Sequence, residues 1–386
     1  MLKFALFCVL SYYFLIKRFR SHANGTVSDR PAPGGADLAN LVLMRKFVIR
    51  MMKVRENISL LGMNSFGFDV SARRLVEFAS AEDLRQAFAS MPSGEPWYVL
   101  GGGNNVLFTA DYGGTLLHPL DRSVTLEGGD GERALVRVGA GAEWDDFVGW
   151  AVGQGLGGIE NLSLIPGCAG AAPVQNIGAY GVEAKDTIES VECYLPDEDR
   201  VVALSNAECR FGYRDSVFKR ELRSRAVILS VLFGLSRRPE FRLRYEDVSR
   251  RVDELGGPSL KNIREAVVAI RRAKLPDPKV LGNAGSFFKN PVVSEEQAAR
   301  LLARWPDMPR YGAGEGFVKL AAGWLIDRCG WKGCRMGPVG VHDRQALVLV
   351  HYGGGTGADV MRLARAVQRD VVERFGVRID MEVNLL

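Results

Sequence analysis

Residues 153–181 read GQGLGGIENLSLIPGCAGAAPVQNIGAYG, and the fold turns on how this stretch is read. It is crowded with Gly, Ala, Pro and Asn and poor in charge, and neither a helical nor a strand period runs through it. A long irregular segment is usually functional or disordered, and this one carries too much apolar side chain for disorder. A backbone that is irregular because it wraps a large ligand fits both properties. A second glycine-rich element stands upstream: LGGGNNVLF, residues 100–108, ends the apolar run Trp97-Tyr98-Val99-Leu100. A ligand diphosphate needs converging main-chain N–H donors, and glycine lets the chain approach closely and take positive φ. The shorter loop alone is weak. It lacks the third glycine, the following helix and the ribose-binding acid of a dinucleotide fingerprint. It also lacks the Gly-Lys-Ser/Thr of a P-loop. Two such elements in one domain are a stronger signal than either.

Regular elements flank these loops. Ser80 followed by Glu82 and Asp83 predicts a short helix over 81–89. Residues 97–100 and 134–138 read as strands closed by glycines, and 144–152 as a helix. Strands return near 188–194, 200–204 and 226–233. Ser294-Glu295-Glu296-Gln297 is a capping-box pattern opening a helix toward Arg304. Val360, Leu363, Ala364, Val367 and Val371 share one helical face, with Gly376 just beyond its end. Residues 346–350 read as a buried strand. The fold class is α+β, with segregated elements rather than strict βαβ alternation.

The chain has 386 residues and a formal charge of +5. That length allows two or three domains with a sizeable core. The charge is too small for a concentrated basic face, so no nucleic-acid partner is expected. Local Lys and Arg can still gather phosphates and carboxylates. The cysteines, at 8, 168, 193, 209, 329 and 334, form no CxxC pair, and the histidines, at 22, 118, 342 and 351, form no HxxxH pair. Reduced thiols, no metal site and a cytoplasmic setting follow as expectations. Phe4 to Ile16 is almost wholly apolar, but shorter than the ~20 residues of a spanning helix. Lys17, Arg18 and Arg20 follow it, and its cleavage site would be poor for a signal peptide. Residues 1–54 are expected to be an N-terminal extension, disordered or the product of an over-long gene start, without stable membrane insertion.

Three blocks, LGGGNNVLF, GGIENLSLIPGCAGAAPVQNIGAYG and ECRFGYRDSVFK, resemble the signature blocks of the UDP-N-acetylenolpyruvoylglucosamine reductases. RRAKLPDPKVLGNAGSFFKNP, VKLAAGWLID and VHDRQALVLV in the last third agree, and the resemblance runs from about Asn57 to the C-terminus. It implies a flavin-binding domain over 55–238, of the vanillyl-alcohol oxidase and cresol methylhydroxylase type. It also implies a C-terminal α/β substrate-binding domain over 239–386, whose last residues complete the active site. The implied activity is NADPH-dependent, FAD-mediated reduction of UDP-N-acetylglucosamine enolpyruvate to UDP-N-acetylmuramate, in peptidoglycan precursor synthesis. NADPH and the UDP-sugar would enter one pocket in turn, FAD would be non-covalent, and the protein is expected to act as a monomer. Tyr245, in RLRYEDV, resembles the tyrosine of the longer family class, which closes a loop over the substrate.

The resemblance also implies roles. FAD would be held by Gly101, Gly102, Gly103, Asn104, Asn105, Ile165, Pro166, Gly167, Gly170, Ala171, Ala172, Gln175, Asn176, Gly178, Ala179 and Tyr180. Hydride would pass from flavin N5 to the substrate's terminal carbon, building charge on its carboxylate. Arg214 would stabilise that charge through its planar fork, Ser286 would deliver the proton, and Glu382 would polarise the site. Without the resemblance the plainer readings are an ion pair with Asp215, a loop-capping hydroxyl and an exposed glutamate. Lys274, Asn290, Gln345 and Tyr245 would contact the UDP-sugar; a solvated charge is the plain reading of Lys274. The sequence departs from the family where Asn104 and Asn105 follow Gly103, in place of Gly-Ser-Asn. It departs again where Ala171 and Ala172 replace two serines before Pro173. Two rival readings remain: another FAD oxidase or dehydrogenase on this fold, or an inactive sugar-nucleotide-binding homologue.

Overall fold

The structure is a computed structural model that describes residues 53–386; the expectations for the apolar run at 4–16 and the linker at 21–40 fall outside them. The chain opens with β1 (Val54–Ser59), β2 (Ser71–Phe78), helix α1 (Ala81–Ser90), β3 (Trp97–Val99), β4 (Val106–Leu107) and β5 (Tyr112–Pro119). Four of these strands form a sheet in the order β1-β2-β5-β3, with β5 parallel to both β2 and β3. The Ser80 side chain accepts from the Asp83 N–H at the start of α1, as the sequence predicts. That cap stabilises the helix by about 1 kcal/mol. Leu84 and Ala87 then turn inward against Val76 and Phe78.

The second sheet takes β6 (Val124–Gly129), β7 (Arg133–Gly139), β10 (Ile188–Leu195), β11 (Arg200–Ser205) and β12 (Val227–Ser236). Its order is β11-β10-β12-β7-β6, every pair antiparallel. Between β7 and β10 lie helix α2 (Trp144–Gly153) and the small hairpin of β8 (Gly178–Ala179) and β9 (Val182–Glu183). Phe147 of α2 meets Phe233 of β12 with ring centroids 5.0 Å apart. Burying one such aromatic contributes roughly 1.5–3 kcal/mol.

The irregular stretch 153–181 still has to satisfy its backbone. Side chains do much of this work. The Trp144 indole donates to the Leu162 carbonyl, and the Asn161 amide donates to the carbonyls of Tyr180 and Arg242. Asn176, fully buried, donates to the Gly212 carbonyl and Glu183 and accepts from the Lys185 N–H.

Next comes a helical hairpin, α3 (Glu246–Glu254) and α4 (Leu260–Lys274), closed over Val248, Val252, Ile263 and Val267. The last third holds β13 (Gly282–Ser286), β14 (Val292–Ser294), α5 (Glu295–Arg304), β15 (Arg310–Gly312), β16 (Phe317–Leu320) and α6 (Ala322–Arg328). It continues through β17 (Arg335–Met336), β18 (Val339–Val341), β19 (Val348–His351) and α7 (Gly357–Phe375) to β20 (Asn384–Leu385). Antiparallel sheets β13-β19-β18-β17 and β14-β16-β15 share a core with the inward face of α7, the face read from the sequence. Gly376 ends α7 at φ 65°, its N–H donating to Val372.

Two expectations shift. Ser294 caps α5, but the Gln297 amide does not turn back to complete a box; it donates to the Gly376 carbonyl at the end of α7. The strand expected at 346–350 begins at Val348, because Gln345 closes a turn onto the Val348 N–H. Finally β20 runs parallel to β4, bringing the chain end back to the first glycine loop.

Helix α4 is fastened to α2 by Arg264, whose Nη1 and Nη2 donate to the Asp145 carboxylate at 2.5 and 3.0 Å. Asp145 also accepts from the Leu164 N–H, midway along the irregular stretch 153–181. Burial alone would raise the Asp145 carboxyl; Arg264 and the Leu164 N–H outweigh it and hold the group below the usual carboxylate range. A lowered folded pKa gives stability that is complete above the unfolded value and lost as pH falls through the folded one. Asp145→Asn should therefore cost about 1–3 kcal/mol at neutral pH, with the gap to the parent closing below about pH 4. Thermal melts across pH test this; a gap that stays constant down to strong acid would refute it.

Candidate active site

The two glycine loops meet across a cavity of ≈ 530 Å³. Gly101, Gly102, Gly103, Asn104, Asn105, Ile165, Pro166, Gly167, Gly170, Ala171, Gln175 and Gly178 border it. The main-chain N–H groups of Gly101, Gly103, Asn104 and Asn105 have no backbone acceptor among the described residues. Gly103 has φ +64°, and a Cβ there would overlap the Met63 carbonyl. A Cβ at Gly170 would stand 2.6 Å from that of Ala140. This cradle of unspent donors beside a cavity suits a diphosphate-bearing cofactor, and the residues present therefore fit FAD.

Four expected cofactor positions lie off the cavity lining. Ala172 is buried in the core of the second sheet. Asn176 spends its amide on the clamp described above. Ala179 pairs with Val182 in the β8–β9 hairpin, and the Tyr180 ring meets Tyr245 edge-on at 5.8 Å. They shape the loop from behind.

Arg214, Ser286 and Glu382 all border the cavity. Arg214 sits at φ +55°. Its Nη2 donates to the Gly178 carbonyl at 2.8 Å, and its Nε lies 3.0 Å from Glu382 Oε1. That Nε–carboxylate contact is close but off-line, so it is an ion pair rather than a hydrogen bond. Ser286 ends β13 after a register shift between Asn283 and Ser286, with Gly285 at φ +67°. Glu382 is held next to it because its N–H donates to the Phe287 carbonyl at 2.8 Å. Gln175 Nε2 also donates to Glu382 Oε1.

The sugar-nucleotide candidates separate. Asn290 and Gln345 border a second hollow of ≈ 330 Å³ with Tyr311, Lys332 and Arg344. Asn290 Oδ1 accepts from the Ala322 N–H, and Gln345 Oε1 from the Leu347 N–H. Tyr245 is half-exposed against Tyr180 and Gly181. Lys274 borders neither space. It forms a 2.6 Å ion pair with Asp247 across the α3–α4 hairpin, closer to its plain reading as a solvated charge.

Three cavity cations, Lys219, Arg223 and Arg271, escape a reading by motif. Lys219 donates to Gln175 Oε1 and to the Arg214 carbonyl, each at 3.3 Å. Burial, with Lys289 and Arg214 nearby, pulls its ammonium down to about 8 against the opposing pull of Glu382 and Asp215. Arg271 borders the cavity with its Nε buried and unpartnered among the described residues. The available signals were slight: a lone lysine closing Asp-Ser-Val-Phe-Lys, and an arginine one helical turn before Lys274.

Among the described residues no group of three or more His, Cys, Asp or Glu could hold a metal ion, and no helix is long and apolar enough to cross a membrane. Residues 72–204 match the model of an FAD binding domain. Residues 277–386 match that of the UDP-N-acetylenolpyruvoylglucosamine reductase C-terminal domain. The chain is 51% identical over 339 residues to the UDP-N-acetylenolpyruvoylglucosamine reductase of Chromobacterium violaceum, covering 87% of this chain and 99% of the relative. It is 48% identical to that of Pseudomonas aeruginosa over 337 residues, covering 86% and 99%. The solved UDP-N-acetylenolpyruvylglucosamine reductase of Thermus caldophilus shares the fold, with TM-score 0.62 at 24% identity over 87% of this chain and 99% of that one. The matched FAD binding domain and the curated relatives define an FAD-dependent oxidoreductase with NADPH as reductant. Within that class, the chain belongs to the UDP-N-acetylenolpyruvoylglucosamine reductase family.

Cys168 bears on how flavin is held. It borders the cavity beside Gly101, but burial pushes its thiol up to about 11. A thiol that stays protonated at neutral pH is a poor nucleophile for a covalent tether. Denaturing the yellow protein and filtering it should pass all flavin into the filtrate, and Cys168→Ala should bind flavin to the same level. Colour retained on the denatured chain would contradict this.

Proposed function

We propose that this chain reduces the enolpyruvyl group of UDP-N-acetylglucosamine enolpyruvate to give UDP-N-acetylmuramate, with Arg214, Ser286 and Glu382 as its reacting side chains. The observation that carries the reading is their convergence. Residues from three distant parts of the sequence border one cavity together with both glycine loops. When bound, FAD supplies hydride-transfer chemistry, accepting two electrons from NADPH and passing them to the substrate alkene.

The protein's own work is binding, charge stabilisation and proton delivery. Arg214, anchored by Gly178, presents Nη1 to the carboxylate on which charge accumulates. Donors fixed in advance where charge develops are the largest expected lever on rate. Ser286, displayed by the turn at Gly285, holds the proton that goes to the carbon next to that carboxylate. A serine is a weak acid, so the basicity of the enolate drives the transfer. Glu382 keeps Oε1 toward Arg214 and Gln175, fixing the direction of the guanidinium. Asn290, Gln345 and Tyr245 are assigned to the sugar nucleotide. Lys274 is assigned to its phosphates, which requires it to leave Asp247.

Residues 55–238 serve as the flavin domain and 239–386 as the substrate domain, in a monomer that works in the cytoplasm, where NADPH is supplied. A covalently flavinylated oxidase is disfavoured by the protonated Cys168. An inactive binding homologue is disfavoured by the shared placement of the three reacting side chains.

Anaerobic stopped-flow separates the two half-reactions. Ser286→Ala should slow reoxidation of the reduced protein by the enolpyruvyl substrate about 10²–10⁴-fold, while bleaching by NADPH changes only a few-fold. Arg214→Lys should cost about 10²–10³ in the same step. If Ser286→Ala reoxidises as fast as the parent, the assignment of the proton donor is wrong.

A further inference from the structure

We propose that Lys219 is a positioning residue that sets the polarity of the hydrogen-bond chain reaching Glu382 and holds Arg214 in place for the reaction. This inference rests on the assignment of Arg214 and Glu382 made above.

The chain runs through two amides. Asn105 Nδ2 donates to Gln175 Oε1 at 3.1 Å, Lys219 Nζ donates to the same oxygen at 3.3 Å, and Gln175 Nε2 donates to Glu382 Oε1 at 3.2 Å. An amide can turn over, exchanging its donor and acceptor ends. If Gln175 turned over, its oxygen would face the Glu382 carboxylate and its N–H would face two donors. A charged ammonium has donors and no acceptor, so Lys219 in that state accepts only one orientation of Gln175. That orientation sends the Gln175 N–H to Glu382. With Oε1 so engaged and 3.0 Å from Arg214 Nε, the carboxylate holds the guanidinium toward the cavity.

Lys219 also acts on Arg214 directly. It donates to the Arg214 main-chain carbonyl, and Arg214 occupies the left-handed backbone region at φ +55°. That conformation is costly for a residue with a Cβ and needs support from its surroundings. Lys219 therefore holds both ends of the unit: the backbone that aims Arg214 and the amide that orients its carboxylate partner.

The charge state matters to this role. The groups facing the ammonium are Lys289 and Arg214, which oppose its charge, and Glu382 and Asp215, which favour it. Once neutral, the amine can accept, so it no longer excludes the turned-over Gln175 and the amide is held by Asn105 and Glu382 alone. The substrate-dependent step should then fall on the alkaline side, at about pH 8 or above.

The test uses the intact flavoprotein under anaerobic stopped-flow. Lys219→Met is expected to slow reoxidation by the enolpyruvyl substrate 10- to 100-fold, to leave bleaching by NADPH within threefold and flavin content unchanged, and to lose the alkaline limb of the reoxidation profile. Lys219→Arg should recover most of the rate and carry it to higher pH, since a guanidinium stays charged. Should Lys219→Met fail to fold, Lys219→Gln carries the same expectation, because it removes the fixed donor while keeping a polar side chain. Parental reoxidation in these variants would overturn the inference alone. So would an equal loss in both half-reactions, or a loss that follows flavin content, because either marks mere structural support. A parent protein that bleaches with NADPH yet is not reoxidised by the substrate would overturn the proposed activity and this inference together.

Discussion

The rest of the site depends on a cradle of main-chain N–H groups that the described residues do not use. Donors at Gly101, Gly103, Asn104 and Asn105 are free of backbone acceptors among the described residues because the chain there is neither helix nor strand. Irregular backbone is expensive inside a domain unless its other polar groups are satisfied. The neighbouring stretch shows how: Trp144, Asn161 and Asn176 supply side-chain bonds that secondary structure would otherwise provide. Arg264 and Asp145 then fix the stretch at Leu164 against two helices. The second sheet and the α3–α4 hairpin thus hold a ligand-shaped loop open.

The elements legible in the sequence are those whose signals lie within one turn of chain. The Ser80 cap, the apolar face of α7 and the stop at Gly376 all have partners a few residues away. The partners that place the site do not. The Leu386 carbonyl accepts from Thr109, 277 residues earlier, and no local pattern announces the pairing of β20 with β4. The same distance separates Asn105 from the Glu382 carbonyl it reaches. Arg214, Ser286 and Glu382 were visible through resemblance of whole blocks, whereas composition and spacing favoured plain ion pairs and caps. Lys219 and Arg271 stayed hidden because a single cation carries no period. Their meaning comes from burial beside other charges. Lys274 adds a partner that no local pattern announces: a lysine in a rigid turn suggests a phosphate contact, and the chain also folds Asp247 against it.

The departures from the family pattern fall where the structure can absorb them. Asn104 stands at the meeting of the loops, its Oδ1 within 3.8 Å of where a Gly167 Cβ would be. An amide there can donate where a hydroxyl commonly would. Ala172 is a core residue, so the hydroxyl missing from it is missing from a side chain that does not line the cavity. Ala171 does line it, and there one neutral hydrogen bond of about 0.5–1.5 kcal/mol is forgone. On the proposed reading the main-chain donors at Gly101, Gly103, Asn104 and Asn105 carry binding without it.

Charge decides what else the cavity can receive. Arg214, Lys219, Arg223 and Arg271 border it, against Glu382 as the partner carboxylate. The net charge of +5 spread over 386 residues creates no such concentration, so the effect is local. Burial lowers the Arg271 pKa, with Tyr180 and Asp145 opposing that shift, but a guanidinium remains charged at any physiological pH. A buried guanidinium whose Nε finds no acceptor among the described residues would be stabilised by an anion arriving with a ligand. Both reactants of this enzyme family bring phosphates and one brings a carboxylate. An anionic ligand entering the cavity would therefore relieve a desolvation cost the folded chain has already incurred at Arg271.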